Sequence, residues 1–107
     1  MKKLLTATAA SALLAGTAMA EDVKLGVLFG FTGPIESLAP AMGSGAEMAM
    51  AEVTESGKLL DGTKVSASRA DTGCIDNGLA TSNGERMIAD GVAGIIGGDC
   101  SGVTGAI

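Results

Sequence analysis

Histidine, tryptophan and tyrosine are absent from this 107-residue chain, and phenylalanine, proline and cysteine occur twice each. Without histidine, the usual base for a serine or cysteine nucleophile is missing, and so is the commonest zinc ligand of exported proteins. An exported hydrolase would therefore need a base that this chain does not carry. Basic residues are few as well, seven Lys and Arg against twelve Asp and Glu for a net charge of −5. With no basic patch, nucleic acid and anionic membrane are poor partners; the acidity equally serves to keep the chain soluble. Neither glycine loop, Gly30 to Gly33 or Gly97 to Gly102, matches GxGxxG or GxxxxGK[ST], so nucleotide binding has little support. No metal site and no cofactor are expected.

What is present begins with an export signal. Lys2 and Lys3 precede an apolar stretch from Leu4 to Thr17, which closes on Ala18-Met19-Ala20. Charge, apolar run and small-x-small site in that order are a secretory signal, with cleavage expected between Ala20 and Glu21. The run holds three Thr, one Ser and one Gly and falls short of the roughly 20 strongly apolar residues that a membrane span needs. The residue directly after the cut is Glu21 and not cysteine, which argues against a lipid anchor. Removing 20 of 107 residues leaves 87. Lys2 and Lys3 go with the signal, so five basic residues face twelve acidic ones, a net charge of −7. One small core is possible at that size. The chain stops at Gly105-Ala106-Ile107, where a helix is starting, so a truncated chain is expected.

Residues 23–29, VKLGVLF, read as a mostly buried strand ended by Gly30. After the Phe31-Thr32-Gly33-Pro34 break, an Ala-rich helix is expected over 41–56, with Met42, Ala46, Ala49 and Val53 on its apolar face and Gly57 as its cap. Glu47, Thr54 and Glu55 lie elsewhere on the wheel. Asp61-Gly62 is a turn, and residues 64–70 alternate in polarity, as a sheet-edge strand does. Asp71 to Asn77 is a loop. Asp76 caps a second helix running to about Asp90, with Leu79, Ala80, Met87 and Ile88 on one face and Gly91 as the stop. Gly84 shares that face, either as a helix defect or as a point of close helix-to-sheet contact. Residues 92–96, VAGII, are apolar throughout, as in a strand covered on both faces. The alternation of strand and helix predicts an α/β domain with a parallel sheet and right-handed crossovers.

In such a sheet, ligands bind beyond the carboxyl ends of the strands. Three loops fall there: Gly30 to Pro34, Ala70 to Cys74 and Gly97 to Ser101. As an N-cap, Ser101 would offer a hydroxyl beside the first N–H groups of a helix, which suits a carboxylate; equally it caps only its own helix. Asp99 could meet a ligand amine or lie solvated in the turn. Asp71, Asp76 and Asp99 could form a carboxylate group, though capping and turn roles explain all three. Cys74 and Cys100 in an exported chain read most simply as one disulfide; a reactive thiol or metal pair is the competing reading.

The export signal, the first strand ending in FTGP, the Ala-rich helix, LLDGTKV, the ADTGC loop and the block ERMIADGVAGIIGGDCSGVT together resemble the periplasmic leucine/isoleucine/valine-binding proteins of ABC transporters. The resemblance spans essentially all of 21–107 and covers only the start of the family's pattern. It implies a type I periplasmic binding protein fold, a doubly wound parallel sheet of which 21–107 is part of the N-terminal lobe. It also implies a function: capture of a branched-chain or related amino acid between two lobes, in the periplasm, for delivery to a membrane permease. Contact with the membrane would be only through that permease. No enzyme activity is implied. By the same resemblance, Cys74 pairs with Cys100, Ser101 binds the amino acid's α-carboxylate, and Leu38 lines the side-chain pocket where relatives often carry an aromatic. The candidate ligand-binding set is thus Leu38, Asp99, Cys100 and Ser101.

Two further expectations follow from the resemblance. The sheet order should be 2-1-3, so the disulfide must reach across the end of strand one, with its Cα atoms within about 7 Å. The residues that hold the ligand ammonium belong to later segments of the family, so 21–107 alone should not bind. The same fold also serves ligand-sensing domains of exported receptors, and relatives of it bind amides, urea and aromatic acids.

Overall fold

A computed structural model describes residues 21–107. The expected signal peptide, with Ala20 at its cleavage site, lies outside the described residues. Three strands form one parallel sheet: β1 (Val23–Phe29), β2 (Val65–Asp71) and β3 (Gly94–Gly97), in the order β2-β1-β3. Val27 sits between Arg69 on one side and Ile96 on the other. The central strand carries the core, with Val27 and Leu28 fully buried on opposite faces and Phe29 nearly so. Burying each of these side chains is worth about 1.5–3 kcal/mol. This is the α/β parallel-sheet architecture expected of a type I periplasmic binding protein fragment.

Helix α1 (Ala39–Ser56) connects β1 to β2. It starts earlier than the sequence indicates, with Pro40 in its first turn, where a missing N–H breaks no helical bond. It ends at Gly57, whose left-handed backbone lets its N–H reach the Thr54 carbonyl. The buried positions are Ala39, Gly43 and Met50, with Ala46 half-buried. Met42, Ala49 and Val53, expected to face the core, are exposed, so the helix is turned by about one residue. The reason lies across the interface. A Cβ at Gly43 would stand 2.9 Å from the Phe31 ring, so any larger residue there would have to push the ring aside. Beside it Glu47 turns toward the sheet and accepts two hydrogen bonds of 2.8 Å from the Arg69 guanidinium, which also lies 4.6 Å over the Phe31 ring. A pair this exposed adds at most about 1 kcal/mol, yet it fixes which flank of α1 meets β2.

Helix α2 (Asn77–Ala89) packs on the other face of the sheet. Asp76 caps it as expected, its Oδ1 accepting the Leu79 N–H at 2.9 Å. Ala80, Gly84 and Met87 are buried, whereas Ile88 is 68% exposed and off the packed face. The place expected for Gly84 also changes: the open side of Gly84 faces Ile107 at the end of the third helix, with Cγ2 3.6 Å from where its Cβ would be. Close approach to the sheet is made at Gly26 of β1 instead, where a Cβ would lie 2.6 Å from the Met87 sulfur.

Strand β3 begins at Gly94, not Val92, and it is an edge of the described sheet rather than a strand covered on both faces. Ile96 is 40% exposed, because α1 lies over β1 and β2 and leaves β3 bare on that side. There, Leu25, Ala46, Met50, Val53, Val65 and Ile96 line an open apolar groove of about 520 Å³. Helix α3 (Ser101–Ala106) follows, and its Val103 is fully buried.

Candidate functional site

The carboxyl ends of the three parallel strands all point the same way, so the segments after Phe29, Asp71 and Gly97 emerge together. Each is folded by side chains from its neighbours. In the first, Gly30 donates its N–H to Asp99 Oδ2 at 2.7 Å. Thr32 gives its N–H to Asp71 Oδ1 at 3.1 Å and its hydroxyl to Asp71 Oδ2. In the second, Gly73 donates to Asp71 Oδ1 at 3.0 Å, and the fully buried Thr72 accepts the Cys74 N–H on its hydroxyl at 3.1 Å. Asn83 of α2 holds the Asp71 carbonyl at 2.8 Å. Burial by itself pushes the Asp71 carboxyl up. It is outweighed by the Thr32 hydroxyl and the amides of Gly73, Thr32 and Phe31, which hold the pKa below the ordinary aspartate value.

Cys74 and Cys100 are bonded, with Cα atoms 5.3 Å apart. The bridge joins the segments after the two edge strands and so passes over the end of β1. Gly30 makes room for it: a Cβ at that position would stand 3.0 Å from Cys74 Cβ and 3.1 Å from its nitrogen. The reading of the cysteines as a reactive thiol or metal pair is overturned by this bond.

Ser101 is exposed and is the first residue of α3. The N-cap is Cys100, in extended conformation, not Ser101 as expected. The cap shifts because the disulfide fixes Cys100, and the first helical bond runs from Thr104 N–H to the Cys100 carbonyl at 3.0 Å. The N–H groups of Ser101, Gly102 and Val103 therefore have no intrahelical acceptor. Among the described residues the Ser101 hydroxyl makes no hydrogen bond to protein. Thr104, which the sequence did not single out, sets this turn: its Oγ1 lies 2.6 Å from the Gly98 carbonyl and 2.9 Å from that of Cys100. A threonine four residues after the second cysteine was the available signal.

Asp99 is turned inward. Its Oδ2 is taken by Gly30, and its Oδ1 is buried with no hydrogen-bond partner among the described residues. Leu38 is the N-cap residue of α1 and is 61% exposed at the same end of the sheet. Asp71, Asp76 and Asp99 do not pool their carboxylates: one holds Thr32, one caps α2 and one holds Gly30. The arrangement offers donors, one free hydroxyl and an apolar side chain, a set suited to holding a small anion-bearing molecule.

A family model described as periplasmic binding protein matches residues 22–107. Leu/Ile/Val-binding protein homolog 7 of Brucella melitensis biotype 1 is 38% identical over 104 residues, 95% of this chain and 25% of the relative. Its counterpart in Brucella suis biovar 1 is 38% identical over 99 residues, 91% of this chain and 24% of the relative. The chain thus spans about a quarter of the length of the curated relatives it matches.

Proposed function

This chain belongs to the periplasmic binding protein family, and on that premise we propose that it forms part of an extracytoplasmic solute-binding component of an ABC transporter. The solute is a branched-chain or related amino acid, captured in the periplasm and handed to a membrane permease. The likeness to Leu/Ile/Val-binding homologs supports the ligand class. The observation that carries the site is Ser101, exposed with a free hydroxyl above helical N–H groups that have no intrahelical acceptor.

In this reading the ligand α-carboxylate accepts from the Ser101 hydroxyl and from the first amides of α3. Hydrogen bonds to a charged group are worth about 1.5–3 kcal/mol each, and the helix terminus adds about 0.3–1 kcal/mol. Cys100 holds the turn on which Ser101 stands. Leu38 offers an apolar wall to the ligand side chain. The ammonium needs acceptors that these residues do not supply, because the Asp99 carboxylate is turned inward. Residues 21–107 are therefore half a site, and calorimetry on them should show no micromolar leucine binding.

A thermal-shift screen of the protein extended to the relatives' length, against amino acids, amides, urea and aromatic acids, tests the ligand class. Stabilisation by branched-chain amino acids is expected. Stabilisation only by urea or an aromatic acid would replace the ligand. Ser101→Ala should weaken binding about tenfold or more with the melting temperature of the free protein within a degree or two; unchanged affinity would remove Ser101 from the site.

A further inference from the structure

The first strand-end segment, residues 30–38, is fastened at two points to the other two. At its start, the Gly30 N–H meets Asp99, which directly precedes Cys100. Two residues on, both the N–H and the hydroxyl of Thr32 meet Asp71, which closes β2. Backbone contact reinforces the second point: a Cβ at Gly33 would stand 2.5 Å from the Gly73 carbonyl oxygen. The disulfide then joins the second and third segments. Three segments are thus tied pairwise in a closed ring, by two carboxylates and one covalent bond.

Neither carboxylate is placed as surface decoration. Asp99 keeps one oxygen buried and, among the described residues, unpartnered, a placement that costs free energy and that persists where the surroundings over-determine it. Asp71 spends both oxygens on three donors, two of them from Thr32. What the two clamps fix is the path of residues 30–38 into α1. Glu36 N–H reaches the Gly33 carbonyl at 3.2 Å, Leu38 N–H the Ile35 carbonyl at 2.8 Å and Ala39 N–H the same carbonyl at 3.1 Å. Those turns start from the clamped Thr32-Gly33 pair and end at Leu38.

We propose that Asp71 and Asp99 are positioning residues, which clamp residues 30–38 so that Leu38 is held at a fixed place relative to Ser101. They touch no ligand. The assignment of Leu38 and Ser101 to a ligand site rests on the reading above, but the clamp itself does not. A side-chain wall held in place discriminates between ligands by size; a wall on a loose loop does not.

Two pairs of variants separate positioning from mere folding. Thr32→Val removes the hydroxyl donor at nearly constant shape, and Thr32→Ser keeps it. Asp99→Ala removes the acceptor for Gly30, and Asp99→Asn retains one. Amide hydrogen exchange on the ligand-free chain is the first readout. Thr32→Val and Asp99→Ala should each speed exchange at Glu36, Leu38 and Ala39 about tenfold or more, with Val27 and Leu28 unchanged and with rescue by Ser and Asn. Unchanged exchange at 36–39, or equal acceleration throughout the sheet, would overturn the clamp. The second readout, in the protein extended to the relatives' length, is the ratio of leucine to alanine affinity. It should fall several-fold in Thr32→Val and recover in Thr32→Ser, and a ratio that does not change overturns the role in selectivity. If the unaltered protein binds neither amino acid, the ligand reading fails, while the exchange result still decides the clamp.

Discussion

Loss of the Cys74–Cys100 bridge should destabilise residues 21–107 by about 3.5 kcal/mol. The bonded residues are separated by 26 positions. The chain-entropy relation then gives roughly 12 cal/mol/K removed from the unfolded chain, which at 25 °C is about 3.5 kcal/mol. Relaxation of the native state should take little of this back, because the same segments are also held by the Asp99 to Gly30 and Asp71 to Thr32 hydrogen bonds. A domain of this size has on the order of 4–13 kcal/mol in total, so the bridge accounts for a quarter or more of it. At about 4–8 °C per kcal/mol, the melting temperature should fall by roughly 14–28 °C. The assay is thermal denaturation followed by far-ultraviolet circular dichroism, since the chain has no Trp or Tyr to report by fluorescence. Oxidised protein, reduced protein and Cys74→Ala/Cys100→Ala should be compared. A fall below about 5 °C in both bridge-free forms would refute the entropic reasoning, and two free thiols by mass in the oxidised sample would refute the bridge.

The remaining predictions concern packing and charge. Gly30→Ala places a methyl 3.0 Å from Cys74 Cβ, so it should cost about 1–3 kcal/mol and slow oxidative closure of the bridge; urea melts and a thiol-trapping time course read both, and a neutral result would mean that the bridge has room to move aside. Met87→Ala empties a fully buried site under Gly26 and should cost about 2–5 kcal/mol; a loss under 1 kcal/mol in urea melts would mean that α2 collapses into the space. Asp71 has a folded pKa below its ordinary value, so the stability it contributes is fully present above about pH 4 and is lost as the pH falls further through the folded pKa. Asp71→Asn should lack that part of the acid dependence, and urea midpoints at pH 7, 5 and 3 that run parallel in the two proteins would count against the assignment.

Much of the fold was legible because it depends on signals local to each segment. The 23–29 run, the Asp76 cap and the Gly57 and Gly91 stops all appear where the pattern puts them. Strand order came from the family resemblance, and the disulfide crosses β1 as that order requires. What failed were statements about facing. The helical period of α1 is correct, yet the apolar stripe Met42-Ala46-Ala49-Val53 was chosen by hydrophobicity alone. The sheet instead takes Gly43 against Phe31 and Glu47 against Arg69. Arg69 lies 22 residues from Glu47, so no window along the sequence contains the pair. Ser101 missed the N-cap by one residue for a related reason, since the covalent bond to Cys74 settles where Cys100 lies.

The glycines carry the same lesson into function. Of the seventeen in the chain, those that the sequence singles out read mainly as breaks, turns and stops, and only Gly84 suggests a packing contact. Gly26 under Met87, Gly43 under Phe31, Gly30 under the disulfide and Gly33 against Gly73 are points of close approach instead, where an added Cβ would stand within 3.0 Å of a neighbouring atom. Two of the four, Gly30 and Gly33, lie in the segment 30–38 that leads to Leu38. That segment is rich in glycine because three strand ends must meet closely there, and close meeting is what lets two carboxylates reach across and hold it. The residues that would shape the proposed pocket are therefore not those proposed to touch a ligand, and their chemistry, an aspartate accepting backbone amides, is visible only once the strands are set side by side.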